Sequence, residues 1–209
     1  MYPLETIRRR ISDAEIRYER KPGSVRLLAI SKTQPPEAVS AVSGAGQRDF
    51  GENYVQEAAG KVGALAHLGL EWHFVGPVQS NKTRVIAEHF AWVHSVDRVR
   101  IAERLSAQRE GNRRPLNLCI QVNVSGEPSK SGVTPDAAIN LANSITALPN
   151  IILRGVMAIP APAKDFQAQR QALRPLVDVF EDLRSAGYPV DTLSMGMSND
   201  LEAAIAESY

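Results

Sequence analysis

One lysine stands where a buried strand is predicted to end, and it is the one good nucleophile among the candidate strand-end residues. Residues 27–30 form an unbroken apolar run, typical of a parallel strand that is buried on both faces. The run stops at Ser31 and Lys32, and Pro35-Pro36 then begins a new element. Ligands bind at the carboxyl ends of parallel strands, where a partly desolvated amine can attack an aldehyde. The alternative is a lysine whose stem packs while its ammonium group reaches water.

A second candidate is a run of small residues that leads from a predicted strand into a helix, Ser194-Met-Gly-Met-Ser198. Small side chains let backbone N–H groups approach an anion, and barrels often bind phosphate after their seventh and eighth strands. In the alternative interpretation, Ser198 or Asn199 is only the N-cap of the helix. An amine at one strand end and a phosphate cradle at another together suggest pyridoxal 5'-phosphate as a cofactor.

Asparagine, histidine and cysteine side chains are further candidates for binding a ligand or a metal. Asn53 either hydrogen-bonds a ligand or caps the helix that it opens. His73 alternates with apolar residues on a predicted strand, and a core histidine with satisfied hydrogen bonds is favoured for it. The four histidines show no metal-ligand spacing, so no metal site is expected. Cys119 lies in an apolar run and is interpreted as a core residue.

Seven rounds of strand and helix position these residues, and they follow an amphipathic helix that opens the chain. The strands are predicted at residues 25–31, 48–51, 72–75, 91–96, 116–124, 151–159 and 192–197. Neither a linker nor a change of composition interrupts the pattern, so residues 1–209 are expected to form a single domain.

Two architectures fit this alternation, an open doubly wound sheet and a (β/α)8 TIM barrel. No G-x-G-x-x-G motif follows the first strand, and the regular cycle favours the barrel. An eighth strand is missing from the sequence. The expected fold is therefore an α/β TIM barrel with an extra N-terminal helix and without its last strand.

Composition argues against several classes of partner. The 24 Lys and Arg residues nearly balance the 23 Asp and Glu residues, so no strong field attracts nucleic acid or an acidic membrane. No apolar stretch reaches the length of a transmembrane helix, and no targeting segment is evident. A single cysteine fits a reducing compartment. These features predict a cytoplasmic protein without nucleic acid or membrane partners.

Five segments resemble those of the pyridoxal phosphate homeostasis proteins, which share the barrel of the alanine racemase N-terminal domain. They are LAISKT at 28–33, DFGENYVQE at 49–57, EWHFVGPVQSNK at 71–82, LRGVMAI at 153–159 and LSMGMS at 193–198. The segments follow in order over nearly the whole chain, and several are long enough to be specific. The resemblance therefore favours Lys32 as a cofactor lysine over the packed-stem alternative.

The resemblance implies a role for each candidate residue. Lys32 would form a Schiff base, the internal aldimine, with pyridoxal 5'-phosphate, and Asn53 would lie beside the cofactor. Ser194 and the backbone of Gly196 and Met197 would hold the phosphate, and Met157 would line the floor of the pocket. Members of the family are cytosolic and are thought to buffer the cofactor or deliver it, so transient contact with apoenzymes is implied.

The sequence departs from the family at its end. Family members normally continue into an eighth strand with an Arg-Ile-Gly-Thr segment, which supplies an arginine for the ring nitrogen and part of the phosphate site. This sequence ends at Ser208-Tyr209. The departure predicts weaker retention of the cofactor and an exposed edge between strands one and seven.

A carrier is favoured over two kinds of enzyme. An amino-acid racemase using this cofactor needs a second base opposite the lysine, which related racemases take from a separate C-terminal domain. Of the five tyrosines (Tyr2, Tyr18, Tyr54, Tyr188 and Tyr209), only Tyr54 lies near a strand end. A cofactor-free Schiff-base aldolase would need a carboxylate beside Lys32, and Glu52 is the sole candidate. Without a second domain, a monomer is expected.

Overall fold

One parallel sheet of seven strands forms the centre of the protein. The computed structural model describes residues 4–127 and 130–208. The strands pair in chain order, and every pairing is parallel. They are β1 (Ala29–Ile30), β2 (Asp49–Glu52), β3 (Glu71–Phe74), β4 (Trp92–Val96), β5 (Leu116–Gln121), β6 (Ile151–Met157) and β7 (Thr192–Ser194). The predicted alternation is confirmed, and the fold is an incomplete TIM barrel.

Helices lie between successive strands and cover the outer face of the sheet. In the described part of the chain they are α1 (Leu4–Arg17), α2 (Pro36–Gly44), α3 (Val55–Ala64), α4 (Thr83–His89), α5 (Val99–Gln108), α6 (Ala138–Thr146), α7 (Phe166–Ser185) and α8 (Leu201–Glu207). Short 3-10 helices add Ala66–Leu68, Ser80–Lys82 and Pro135–Ala137. The predicted N-terminal helix is thus confirmed. None of the described helices combines the length and apolar character needed to cross a membrane.

The sheet curls on itself, which decides between the two predicted architectures. His94 of β4 and Ser194 of β7 are hydrogen-bonded at 2.7 Å, although β5 and β6 lie between their strands. A flat open sheet would hold these strands about 14 Å apart, because neighbouring strands are spaced by about 4.8 Å. A small inner cluster of Trp92, Cys119 and Met157 packs apart from the larger core that contains the outward residues Val93, Leu118 and Val156.

The two edges of the sheet are where the sequence prediction is least accurate. The first strand is predicted over residues 25–31 as buried on both faces, but β1 has two residues and Ile30 is 48% exposed. β1 pairs only with β2, and β7 pairs only with β6, so an unpaired edge between them is confirmed among the described residues. The upstream residues Val25 and Leu27 leave the ladder because they pack against α1 and α8 instead.

The helices α1 and α8 pack together on the side of these open edges. Ile11 of α1 and Ile205 of α8 share one buried apolar cluster. Arg10 Nε lies 2.7 Å from Glu202 Oε1, and the same guanidinium donates to the Ser198 carbonyl oxygen at 3.0 Å. These contacts connect the start of the chain to the loop that follows β7. The extra N-terminal helix therefore helps to position that loop.

Candidate functional site

Lys32 follows β1 at the carboxyl edge of the sheet, as the sequence predicts. Its side chain is exposed and makes no hydrogen bond or ion pair with any residue that the structure describes. The next residue, Thr33, has a φ of 63°, a left-handed conformation that a β-branched residue rarely adopts. The Thr33 N–H donates to Glu57 Oε1 at 2.7 Å, which holds the turn in this conformation. A free amine thus stands on a fixed turn.

A buried ion cluster lies directly beneath this turn. Lys61 Nζ lies 2.7 Å from Glu52 Oε1 and 2.6 Å from Glu57 Oε1, and it donates to the Ser31 carbonyl oxygen at 2.5 Å. The Ser31 hydroxyl also donates to Glu52 Oε1, at 2.6 Å. The hydrogen bond from Lys61 is the main reason that the pKa of Glu57 is lowered. The residue before Lys32 is therefore anchored through both its carbonyl and its side chain.

Glu52 has a structural role in this arrangement. Its side chain is completely buried, and one carboxylate oxygen accepts from both Lys61 and Ser31. A general acid or base must reach the substrate, whereas this carboxylate faces the ion cluster under the turn. One oxygen of this residue, on which the aldolase alternative depends, is thus committed to holding the turn, and the other, Oε2, is buried without a partner among the described residues.

Asn53, the next residue, does not cap α3. The N-cap of α3 is Tyr54, and it makes no side-chain capping bond. Asn53 Oδ1 is buried without a hydrogen-bond partner among the described residues. A buried acceptor that lacks a donor costs about 1–3 kcal/mol, so such atoms usually meet water or a ligand. Of the two alternatives for Asn53, capping is excluded, and an orphaned polar atom at the mouth fits a bound group.

The loop that follows β7 carries the predicted phosphate site. Gly196 has a φ of +85°, and a Cβ there would lie 2.7 Å from the Ala204 Cβ, so both backbone and space require glycine. The Met197 N–H donates to Asp200 Oδ1 at 2.5 Å. Asp200, rather than Ser198 or Asn199, is the N-cap of α8. The Met197 N–H already donates to an anionic oxygen, so it has the position and polarity to donate to a phosphate oxygen.

Ser194 begins a chain of hydrogen bonds through the barrel interior. Its Oγ lies 2.7 Å from His94 Nδ1, and His94 Nε2 lies 2.9 Å from His73 Nδ1. His73 Nε2 lies 3.3 Å from Asp49 Oδ1, which also binds the guanidinium of Arg26. The prediction that His73 is a core histidine with satisfied hydrogen bonds is confirmed. We call Ser194, His94, His73 and Asp49 the interior polar chain.

Their surroundings determine the charge states of two members of the interior polar chain, His94 and Asp49. Desolvation lowers the pKa of His94 to about 3, with further contributions from His73 and Arg26, so His94 is neutral. Burial by itself would raise the pKa of Asp49, but hydrogen bonds from His73 and Arg26 outweigh it and lower the pKa. Asp49 is therefore an ionised acceptor.

Met157 lies beside the interior polar chain. It packs with Trp92 and Cys119, and the ring of Trp92 stacks on His73 with centroids 5.4 Å apart. Burial raises the pKa of Cys119 to about 12, which leaves an unreactive thiol and confirms that Cys119 is a core residue. The predicted floor residue Met157 is 4% exposed, at the carboxyl end of β6.

Comparisons with known proteins agree with this arrangement. The family described as "Alanine racemase, N-terminal domain" matches residues 4–209. A Pseudomonas aeruginosa protein named pyridoxal phosphate homeostasis protein is 57% identical, over 95% of this chain and 85% of its own length. An Escherichia coli K12 protein of the same name is 48% identical, over 97% of this chain and 88% of its own length. The chain belongs to the pyridoxal phosphate homeostasis protein family.

A solved structure supports the same family at the level of the fold. PipY of Synechococcus elongatus PCC7942, in the structure with pyridoxal phosphate bound, is 35% identical to this chain with a TM-score of 0.81. The match covers 94% of this chain and 93% of PipY. The predicted resemblance to the family is confirmed. The racemase alternative is not favoured, because the relatives of high identity are named for homeostasis.

Three features of the candidate site are not among the predictions from the sequence. Lys61 could have been found, because it falls on the buried side of α3 at i+4 from Glu57. His94 shares a face of β4 with Trp92, and the two alternate with Val93 and Ser95, so its inward orientation was readable. Its link to Ser194 was not, because 100 residues separate the two in the chain.

One group of acidic and histidine side chains has the spacing of a metal site. Asp49, Glu71 and His73 each offer a ligand atom within 4.8 Å of the others. Arg26 forms ion pairs with both carboxylates, and the Trp92 Nε1–H donates to Glu71 Oε1 at 2.6 Å. A guanidinium thus already supplies the positive charge at this position, and we assign no metal to it.

Proposed function

We propose that this protein binds pyridoxal 5'-phosphate through Lys32 and serves in its intracellular homeostasis, as a buffer or a donor to apoenzymes. The proposal rests chiefly on an exposed amine without a partner among the described residues, on a fixed turn at the carboxyl edge of the barrel. It is supported by the names of relatives that are 48–57% identical and by the pyridoxal phosphate in PipY.

When bound, pyridoxal 5'-phosphate supplies an aldehyde carbon that a neutral amine can attack reversibly, with water leaving. Lys32 supplies that amine, and the buried cluster under Ser31 and Thr33 fixes the backbone from which it extends. Because the amine is exposed, solvent can remove its proton before attack and return one on release. A reversible bond at an open mouth suits a carrier that must also give its cargo away.

The remaining predicted site residues are proposed to bind the rest of the molecule. Asn53 offers a buried acceptor without a partner among the described residues, and Met157, which is buried at the end of β6, would form the floor beneath the cofactor. Ser194 and the backbone of Gly196 and Met197 would hold the phosphate. On the Met197 amide, a phosphate oxygen would take the place of the Asp200 carboxylate.

We assign the protein no enzymatic turnover. Two described tyrosines are engaged on the outer surface, since Tyr18 stacks on Phe166 and the Tyr188 hydroxyl bonds Asn143. Tyr54 lies at the end of β2 and is 56% exposed. Its hydroxyl is therefore not held in the fixed position that a second catalytic base would need. Tyr2 and Tyr209 lie outside the described residues. A monomeric, cytoplasmic protein remains the expectation, and the single buried cysteine fits a reducing compartment.

Absorbance titration tests the proposal. Adding pyridoxal 5'-phosphate to the purified protein should give a visible band that saturates near one equivalent. Lys32→Ala should abolish the band, whereas Lys82→Ala, which alters another lysine beyond a strand end, should retain it. An unchanged band in Lys32→Ala would overturn the assignment of Lys32. Loss of α-deuterium from any of a panel of labelled amino acids would show that the protein is an enzyme instead.

A further inference from the structure

The interior polar chain crosses the inside of the barrel, from Ser194 at the proposed phosphate site to Asp49 at the start of β2. It consists of three consecutive hydrogen bonds that join β7 to β4, β4 to β3 and β3 to β2. Both histidines are about 95% buried, so water does not compete for their ring nitrogens. Each ring nitrogen has a neighbour within the chain. The position of every proton is therefore set by its neighbours.

If each imidazole carries one proton, the hydrogen bonds of the interior polar chain allow one arrangement of protons. The ionised Asp49 can only accept, so the proton of His73 must lie on Nε2. His73 Nδ1 is then bare and accepts from the Nε2–H of His94. His94 Nδ1 is bare in turn and accepts the single proton of the Ser194 hydroxyl. In this arrangement Ser194 presents only lone pairs to the mouth of the barrel.

A phosphate group at Ser194 needs the opposite arrangement. To donate to a phosphate oxygen, the Ser194 hydroxyl must turn its proton outward and accept from a proton on His94 Nδ1. His94 remains neutral by losing its Nε2 proton, and that nitrogen then accepts from His73 Nδ1. His73 keeps its Nε2–H on Asp49, so it now carries two protons. The net change is one proton, taken from solvent and held on His73.

We propose that binding of the phosphate at Ser194 is coupled to the uptake of one proton by the interior polar chain, with His73 as its final holder. This coupling rests on the proposed function and adds a regulation to it. The contribution of the phosphate group to the affinity for pyridoxal 5'-phosphate should fall as pH rises, because binding requires a proton whose concentration falls. The protein would thus bind pyridoxal 5'-phosphate more tightly in a more acidic medium and release it in a more alkaline one.

The charged groups nearest to His73 carry one negative charge in excess. Two carboxylates face it and one guanidinium faces them, which leaves one negative charge for an imidazolium to neutralise. Glu71 Oε1 lies 4.0 Å from His73 Nε2, in addition to Asp49 at 3.3 Å. From the other side of the barrel, Arg154 lies over the Trp92 ring and is paired with Asp191. The ionisable groups around the pair are Arg26, Asp49, Glu71, Cys119, Arg154 and Asp191.

Calorimetry with two ligands isolates the phosphate's share of the proton balance. Pyridoxal carries the same aldehyde for Lys32 but lacks the phosphate. Heats of binding measured in buffers of different ionisation enthalpy give the protons taken up by each ligand. At about pH 8, where a phosphate monoester is already a dianion, pyridoxal 5'-phosphate should take up about one proton more than pyridoxal. The ratio of its Kd to that of pyridoxal should rise about tenfold per pH unit.

Substitutions in the interior polar chain test whether the extra proton is taken up there. In His94→Asn, the amide can turn either its N–H or its carbonyl to Ser194 without titrating, so the extra uptake should vanish. Ser194→Ala, which cuts the chain at its end, should also remove it and serves if His94→Asn does not fold. His67→Gln, in the exposed 3-10 helix, is the matched control and should behave as the wild type.

Two failures can be told apart. If pyridoxal 5'-phosphate does not bind at Lys32, the proposed function is overturned, and the coupling with it. If it binds but takes up no more protons than pyridoxal, the coupling alone is overturned. Equal extra uptake in wild type and in both chain variants would also overturn it, because the proton would then belong to another group.

Discussion

At the scale of the residue, the site depends on charged groups that lie beneath the turn that carries Lys32. Thr33 adopts a left-handed conformation that costs roughly 1–3 kcal/mol in a residue of its type. It is retained because its N–H bonds Glu57, and Glu57 is held by the buried Lys61. Lys61 also holds Glu52 and the backbone of Ser31. Lys61 therefore fixes the backbone on both sides of Lys32.

Replacing Lys61 tests this dependence. In Lys61→Met the Glu52 carboxylate would be left buried without a counter-ion, and removing one partner of a buried pair costs about 3–5 kcal/mol. Urea unfolding should show a loss of that size. Lys21→Met, at an exposed lysine, should change the free energy of unfolding by less than about 0.5 kcal/mol. A loss below about 1 kcal/mol in Lys61→Met would contradict the structural role.

At the scale of the element, the place of Ser194 depends on how closely β7 approaches β6. A Cβ on Gly155 would lie 1.8 Å from the Thr192 carbonyl oxygen, so only glycine allows the two backbones to pair. The register between β5 and β6 shifts at the same point. Thr192 is two residues before Ser194, so the contact at Gly155 places the end of the interior polar chain.

Gly155→Ala should therefore disturb both stability and binding. The methyl group must push β7 outward, and overpacking of this kind costs about 1–3 kcal/mol. Because Ser194 moves with β7, the affinity for pyridoxal 5'-phosphate should fall more than the affinity for pyridoxal. Gly60→Ala, at an open position in the middle of α3, should instead stabilise by about 0.5–1 kcal/mol. Wild-type stability and affinity in Gly155→Ala would refute the close approach.

Sequence patterns predicted the elements better than their ends. All seven strands were found because apolar runs alternate with amphipathic helices, a signal that is local. The fifth, sixth and seventh strands stop at Gln121, Met157 and Ser194, earlier than predicted. Apolar residues continue past each of these points, but regular pairing with a neighbouring strand ends. An apolar run shows that a segment is buried, whereas pairing depends on neighbours that the run does not reveal.

At the scale of the whole molecule, buried titratable groups make the fold sensitive to acid. The folded protein keeps His94 neutral down to about pH 3, whereas in the unfolded chain a histidine takes its proton near pH 6.5. The unfolded state thus binds more protons between these values, so stability is complete above pH 6.5 and is lost as pH falls. At lower pH, five carboxylates with lowered pKa act in the same direction: Glu15, Asp49, Glu57, Asp191 and Glu202.

Unfolding by urea at several pH values tests this expectation. Between pH 6 and pH 5, His94 should contribute a loss of about 1.4 kcal/mol per pH unit. His94→Asn should be less stable at pH 7.5 but should have a profile that is flatter by about that slope. His67→Gln serves as the control because its side chain is exposed. Parallel profiles for wild type and His94→Asn would show that His94 is not held neutral.

Some features of the candidate site follow from neighbouring residues in the sequence, and others depend on contacts between distant strands. The position of Lys32 followed from one apolar run and two prolines, and it agrees with the structure. The chain from Ser194 to Asp49 could not be predicted, because it joins four strands whose order around a barrel no local pattern gives. For Lys61, the i+4 spacing to Glu57 is local, whereas its pairing with Glu52 and its bond to the Ser31 carbonyl oxygen join elements that no local pattern brings together.

The most direct test of the central claim is to trap and locate the bond between protein and cofactor. The full chain is incubated with one equivalent of pyridoxal 5'-phosphate, reduced with borohydride, digested and analysed by mass spectrometry. We predict that the label lies on the peptide that contains Lys32 and that Lys32→Ala is unlabelled. A label distributed over exposed lysines such as Lys21 and Lys164, or concentrated on one of them, would contradict the account.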